Sequence, residues 1–252
     1  MTRIIMSGCN GKMGRVITNL IDERQNCEIV AGLDIRENAD APYPVFTTAD
    51  AIDVEADVII DFSNPSALDA LLSFATRKNL PAVLCTTGFS QPQVEQIKAA
   101  SEEIPIFFSG NMSLGINLLI DLAKKAAVMF GDSFDIEIVE KHHNQKIDAP
   151  SGTALMIADA LSNVKEQDMH YVYDRHSYRK ARGKNEIGIH SVRGGTIVGE
   201  HDVIFAGHDE VFTISHSAQS KEIFAAGSIN AAVYLKGKPA GLYNMSDMLS
   251  DN

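Results

Sequence analysis

The chain of 252 residues is 45% hydrophobic and 22% charged, the usage of a folded globular protein, which excludes disorder, collagen and coiled coil. Its length suits one large domain or two small ones. The 33 acidic and 22 basic side chains give a formal charge of -11, which speaks against a general nucleic-acid binder.

The first half alternates short apolar strands with amphipathic helices. Ile4 to Ser7 reads as a buried strand, followed by Gly8-Cys9-Asn10-Gly11-Lys12-Met13-Gly14 and a helix over Val16 to Arg24. Strands follow at Ile29 to Leu33, Val58 to Ser63, Ala82 to Cys85 and Ile106 to Ser109, with helices at Pro65 to Lys78 and Gln91 to Glu102. This is the pattern of a parallel sheet covered by helices on both faces, whose ligands sit beyond the carboxyl ends of the strands. The glycine spacing departs from the strict GxGxxG. Even so, it follows a strand, opens a helix and is followed 20 residues after Gly14 by Asp34. Glycines there admit a pyrophosphate to the backbone, and the helix start supplies amide donors. Asp34 suits a ribose diol and disfavours a 2′-phosphate, whereas Arg36 suits that phosphate, so the choice between NAD and NADP stays open.

Ser113 to Phe130 reads as a helix ended by Gly131, and Ser109-Gly110-Asn111-Met112 before it reads as a hinge. Asp135 to Glu140 alternates acid and aliphatic like a half-buried strand and leads into Lys141-His142-His143-Asn144-Gln145-Lys146. Four basic or proton-transferring side chains there fall within six positions of an acidic protein. Pro150 breaks the chain, and Ser151-Gly152-Thr153 opens another helix whose amides and hydroxyls suit a carboxylate. Histidine, lysine and that helix start suit the binding and protonation of a carboxylate-bearing substrate. Adjacent histidines are not helical metal-ligand spacing and no acid or cysteine cluster completes a set, so no metal is expected. Arg175, Arg179, Lys180, Arg182 and Lys184, interleaved with Tyr173 and Tyr178, read as a solvated loop or subunit contact. Strands at Glu186 to Gly195, Ile197 to His201, Val203 to Ala206 and Val211 to Ser215 suggest a mostly antiparallel second sheet, and Ala218 to Leu235 a closing helix. Three cysteines without a CxxC pair point to a reduced, cytoplasmic setting. The apolar stretch before Gly8 is too short for a signal-peptide core, and no run approaches the roughly 18 residues of a membrane span.

Together these residues resemble the 4-hydroxy-tetrahydrodipicolinate (dihydrodipicolinate) reductases of bacterial lysine and diaminopimelate biosynthesis. The resemblance rests on Gly8 to Arg15, Asp61-Phe62-Ser63, Thr86-Thr87-Gly88-Phe89 and above all Glu140 to Ala154, with Arg193-Gly194-Gly195 and Gly199-Glu200-His201. It implies an α/β chain with a Rossmann-type dinucleotide-binding domain (residues 1–112 and 219–252). A mixed-sheet α+β domain (residues 113–218) would bind substrate and form a homotetramer. It further implies NADPH or NADH cradled by Gly8, Cys9, Asn10, Gly11, Lys12 and Met13, with Asp34 and Arg36 at the adenosine ribose. Phe62, Cys85, Thr86, Thr87, Gly110, Asn111, Met112 and Ser113 would flank the rest of the cofactor. His142 would be the proton donor or acceptor and Lys146 the catalytic lysine, while His143, Ser151, Gly152 and Thr153 would hold a dicarboxylate substrate. Cys85 stands where glycine is usual, Met112 where an aromatic is common, and Ile35 where arginine often follows the ribose acid. A related reductase of another small carboxylate, or a nicotinamide-sensing protein without turnover, also fits these residues. Oxidation of NADH or NADPH with dihydrodipicolinate separates them.

Overall fold

Runs such as Ile4-Ile5-Met6 and Val58-Ile59-Ile60, entirely buried, can only be strands covered on both faces, and the computed structural model places them at the centre of a parallel sheet. The structure describes residues 1–251; residue 252, the last of the expected closing span, lies outside them. In chain order the first elements are β1 (Thr2–Ser7), α1 (Lys12–Asp22), β2 (Cys27–Leu33), β3 (Val45–Phe46), β4 (Val58–Asp61), α2 (Leu68–Lys78), β5 (Ala82–Leu84), α3 (Gln91–Ser101) and β6 (Pro105–Phe108). There follow α4 (Leu114–Phe130), β7 (Asp135–His142), α5 (Gly152–Ser162), β8 (His170–Val172), β9 (Glu186–Arg193), β10 (Gly199–Ala206) and β11 (Val211–Ala218). The chain closes with α6 (Glu222–Leu235), β12 (Gly241–Tyr243) and α7 (Met245–Ser250).

The chain divides into two compact units. One runs from Met1 to Ser113 and resumes at Glu222; the other is Leu114–Lys221. The first is a seven-stranded parallel sheet in the order β12-β6-β5-β4-β1-β2-β3. Helix α6 carries small residues on its buried side, and a Cβ on Gly227 would stand 1.7 Å from the Met112 carbonyl oxygen. The helix thus packs directly under the Gly110–Ser113 loop.

The second unit is a five-stranded sheet, β11-β10-β7-β9-β8. Here the expected mostly antiparallel sheet is corrected. β10 pairs antiparallel with β11 and β7, but β9 pairs parallel with both β7 and β8. Strands expected separately at 197–201 and 203–206 form the single β10, and Gly207 to Glu210 turns tightly into β11. The basic run is also corrected in part. Arg175 and Arg182 are not solvated, because they clasp Glu137 from opposite ends of the loop, with Glu186 and Asp135 as further partners.

Register explains where this sheet stops being core. The inner face of β7, β9, β10 and β11 carries two apolar rows, Ile187–Ile136–Phe205–Phe212 and Ile189–Ile138–Val203–Ile214. Helices α4 and α5 cover these rows with Leu119, Ala123, Ala154, Ile157 and Leu161. The next two rows on the same face are polar: Ser191–Glu140–His201–His216 and Arg193–His142–Gly199–Ala218.

Candidate active site

In the first unit, Ser7, Asp61 and Thr86 lie at the carboxyl ends of three neighbouring strands. Asp61, 2% exposed, accepts hydrogen bonds from Ser7 Oγ (2.7 Å), Ser63 Oγ (2.6 Å) and Thr86 Oγ1 (2.6 Å). Burial pushes its carboxyl up from the usual range. The Ser63 amide in turn donates to Thr86 Oγ1 at 2.9 Å. This knot pins the ends of β1, β4 and β5 together. Gly8 adopts φ +80°, and a Cβ there would stand 2.3 Å from the Phe62 carbonyl oxygen, so the position admits only glycine.

Beyond these ends lies a cavity of about 690 Å³ lined by Gly8, Asn10, Gly11, Asp34, Arg36 and Phe62. Arg15 also lines it, which the sequence reading did not single out. Asp34 accepts the Asn10 amide on Oδ2 (2.9 Å) and the Ile35 amide on Oδ1 (2.8 Å), tying the glycine loop to the end of β2. Helix α1 begins at Lys12, four residues before the expected Val16, because Gly11 is its cap. That cap offers no side-chain acceptor and the first turn has no acid. By contrast, Ser90 with Gln93, and Asn244 with Asp247, form capping boxes at α3 and α7. The first amides of α1 therefore keep their donors for an anion, and the loop fits a pyrophosphate.

The remaining expected cofactor residues do not line this cavity. Cys9 is buried, with its Sγ against Gly32 and Tyr43, and Lys12 and Met13 lie on the first turn of α1. Thr86 spends its hydroxyl on Asp61, Cys85 is buried at the end of β5, and burial beside Asp61 pushes its thiol well up. Met112 and Ser113 are buried, and Ser113 N donates to Asn111 Oδ1 at 2.8 Å.

In the second unit the polar rows assemble around Glu140, which is 0% exposed. Arg193 grips it bidentately, Nη1 to Oε2 and Nη2 to Oε1, both at 2.7 Å. Glu140 Oε1 also accepts the Ser151 amide (3.1 Å), and Oε2 lies 2.6 Å from His142 Nδ1. Burial opposes ionisation of Glu140, yet Arg193, Ser191, His142 and the Ser151 amide together hold its carboxyl down to about 2. His201 Nε2 lies 3.2 Å from Ser151 Oγ, its ring meets His142 edge-on at 5.3 Å, and its Nδ1 is buried without a partner. Burial above all, with the charge of His142 next, depresses His201 to about 4.

Of the predicted substrate-site residues, His142 and Ser151 thus meet directly at Glu140. Ser151 caps α5 through its Oγ on the Ala154 amide (3.2 Å), placing Gly152 and Thr153 in the first turn. Lys146 Nζ pairs with Asp148 Oδ1 at 2.8 Å, and Arg193 Nη2 donates to the Asp148 carbonyl at 2.7 Å, joining that loop to the cluster. His143 follows the end of β7, and its carbonyl accepts the Lys146 amide. Lys141 is the exception. It projects from the opposite face of β7 and pairs with Glu200 (3.1 Å) and Asp202 (3.0 Å). Sequence reasoning gave Glu140, Arg193 and His201 no role, although Glu140 precedes His142 by the two-residue step that shares a strand face.

Comparison with known proteins gives the same picture from a separate direction. A family model described as dihydrodipicolinate reductase, N-terminus, matches residues 2–112, and one described as dihydrodipicolinate reductase, C-terminus, matches residues 115–249. A 4-hydroxy-tetrahydrodipicolinate reductase of Clostridium tetani is 50% identical over 250 residues, 99% of this chain and 98% of its own. One of Caldanaerobacter subterraneus subsp. tengcongensis is 53% identical over 249 residues, with the same coverage. A dipicolinate-bound dihydrodipicolinate reductase from Paenisporosarcina sp. TG-14 shares the fold with TM-score 0.80 at 27% identity, over 97% of each chain. The chain belongs to the dihydrodipicolinate reductase family.

Proposed function

We propose that this protein reduces dihydrodipicolinate, formed from 4-hydroxy-tetrahydrodipicolinate, to tetrahydrodipicolinate in lysine and diaminopimelate biosynthesis, using NADH or NADPH. The observation that carries the reading is the His142 imidazole, held 2.6 Å from a fully buried carboxylate at the point where α5 begins. Such a histidine is built to exchange a proton with a bound ligand. When bound, the reduced nicotinamide supplies the hydride.

The chain's own residues supply the remainder. Gly8, Asn10 and Gly11 receive the pyrophosphate, Asp34 and Arg36 the adenosine ribose, and Cys85 to Thr87 with Gly110 to Ser113 the other end of the cofactor. Both an acid and a cation line the ribose end of the cavity, which suits either cofactor. His142 delivers the proton to the ring position beside the carbon that takes up the hydride. Lys146 exchanges its Asp148 partner for the substrate, and His143, Ser151, Gly152 and Thr153 hold the carboxylates. Exposed Val211 on the edge strand β11, and Leu118 and Leu122 on α4, support a homotetramer built through the second unit. The three free, buried cysteines support a cytoplasmic setting. No helix among the described residues is long and apolar enough to cross a membrane.

The test is oxidation of NADH and NADPH by dihydrodipicolinate generated in situ. Turnover should collapse in Lys146→Ala and His142→Ala while cofactor binding survives. Arg36→Ala should worsen only the NADPH parameters. Cofactor binding without turnover on this substrate refutes the assignment.

A further inference from the structure

An imidazole can exchange a proton through either ring nitrogen, and the hydrogen bond made by the other nitrogen decides which. We propose that Glu140 and Arg193 form a positioning pair that holds the His142 proton on Nδ1 and leaves Nε2 as the nitrogen that exchanges a proton with substrate. This rests on the assignment of His142 as the proton-transfer group and adds the machinery behind it.

The geometry leaves few alternatives. Both Glu140 oxygens are saturated by donors: Arg193 on each, the Ser151 amide on Oε1 and His142 on Oε2. Arg193 remains charged and cannot accept a proton from the carboxylate. Glu140 is therefore an acceptor, and Nδ1 at 2.6 Å has to be the donor. The other nitrogen points at the one position of its row without a side chain. A Cβ on Gly199 would stand 3.1 Å from Nε2, so a side chain there would crowd that nitrogen. Charge from every neighbouring element is consistent with this role. Arg193 and Ser191 face Glu140 from β9, His201 from β10 with His216 beyond it on β11, and Lys146 with Asp148 from the loop. Arg193 orients Glu140 rather than touching the reacting atoms, and it also fixes the Asp148 carbonyl and hence the segment carrying Lys146.

The first experiment uses the unaltered protein. Long-range ¹⁵N–¹H NMR of the neutral His142 ring should show the Nδ1–H tautomer; the Nε2–H tautomer overturns the proposal. The second uses Glu140→Gln, which keeps the shape but places an amide on a carboxylate site. We expect kcat to fall at least about 100-fold, because an amide in place of the carboxylate can hold a catalytic imidazole in the wrong tautomer. The cofactor KM should be unchanged. The third places Glu140→Gln in a His142→Asn background. If Glu140 acts through His142, the second substitution costs nothing further; an equal loss in both backgrounds means a merely structural role and overturns the proposal. Full activity in His142→Asn alone overturns the proton-transfer assignment itself, and the tautomer then still reads the pairing separately.

Discussion

The polar rows of the second sheet should make the fold acid-sensitive well before its surface carboxylates titrate, and His201 is where this begins. It is 4% exposed, its Nδ1 meets no acceptor, and protonation would bury a charge among His142, His216 and Lys146. Burial depresses it from 6.5 to about 4. A histidine depressed on folding contributes stability above its unfolded value and loses it as pH falls toward the folded one. Over the whole window of about 2.5 units the loss is about 3 kcal/mol, and about 2 kcal/mol of it is gone by pH 5. The assay is urea unfolding at pH 7.5 and pH 5 for the unaltered protein and His201→Gln, taken as a double difference so that other groups cancel. The variant should be the less pH-dependent by about 2 kcal/mol. Equal pH dependence in both refutes the reasoning, because it would mean that the imidazole is not desolvated in the folded state.

Glu140 should act in the next window down. Its carboxyl is held at about 2 against an unfolded value of 4.5, so its contribution is present above 4.5 and lost as pH falls through 2. Between pH 5 and pH 3 the unaltered protein should lose about 2 kcal/mol that Glu140→Gln does not, read from the same urea series. Gly8→Ala should weaken NADH binding at least tenfold in a fluorescence titration. It forces a side chain into a left-handed backbone, at about 1–2 kcal/mol, and against the Phe62 carbonyl. Gly199→Ala should lower kcat while leaving the cofactor Kd unchanged, since its methyl would lie 3.1 Å from His142 Nε2; unchanged turnover would place the working nitrogen elsewhere.

The alternation of strand and helix in the first unit was legible because parallel strands bury both faces, and a run such as Val58-Ile59-Ile60 has no other soluble use. What escaped were elements too short for any periodicity, namely β3, β8, β12 and α7, and the start of α1. There a glycine run suggests a loop, whereas Gly14 sits inside the helix, at a position where any Cβ would collide with Gly8 and Cys9. His142, Lys146 and the Ser151 helix start stood out as local clusters. Their organiser did not, because Glu140 meets Arg193 across 53 positions of chain and only the parallel pairing of β7 with β9 brings them together. Lys141, a neighbour of His142 in the same cluster, lies apart from it. Adjacent positions of a strand take opposite faces, so Lys141 points away from Glu140 and His142, and Glu200 and Asp202 pair with it on the far one.

That distribution of partners also answers how a chain of net charge -11 can hold the anionic cofactor and the dicarboxylate proposed for it. The cations do not form a free positive field. Lys141, Arg175, Arg182 and Arg193 are each committed to buried or half-buried acids, and Lys146 to Asp148. What remains near the glycine loop is the start of α1, with no side-chain cap and no acid in its first turn, beside Arg15 and Arg36. Attraction from such a helix end falls off within a turn and owes nothing to the net charge of the molecule. An acidic exterior and an anion-receiving loop are therefore compatible, since the first is set by the count of side chains and the second by which amides the fold leaves without acceptors.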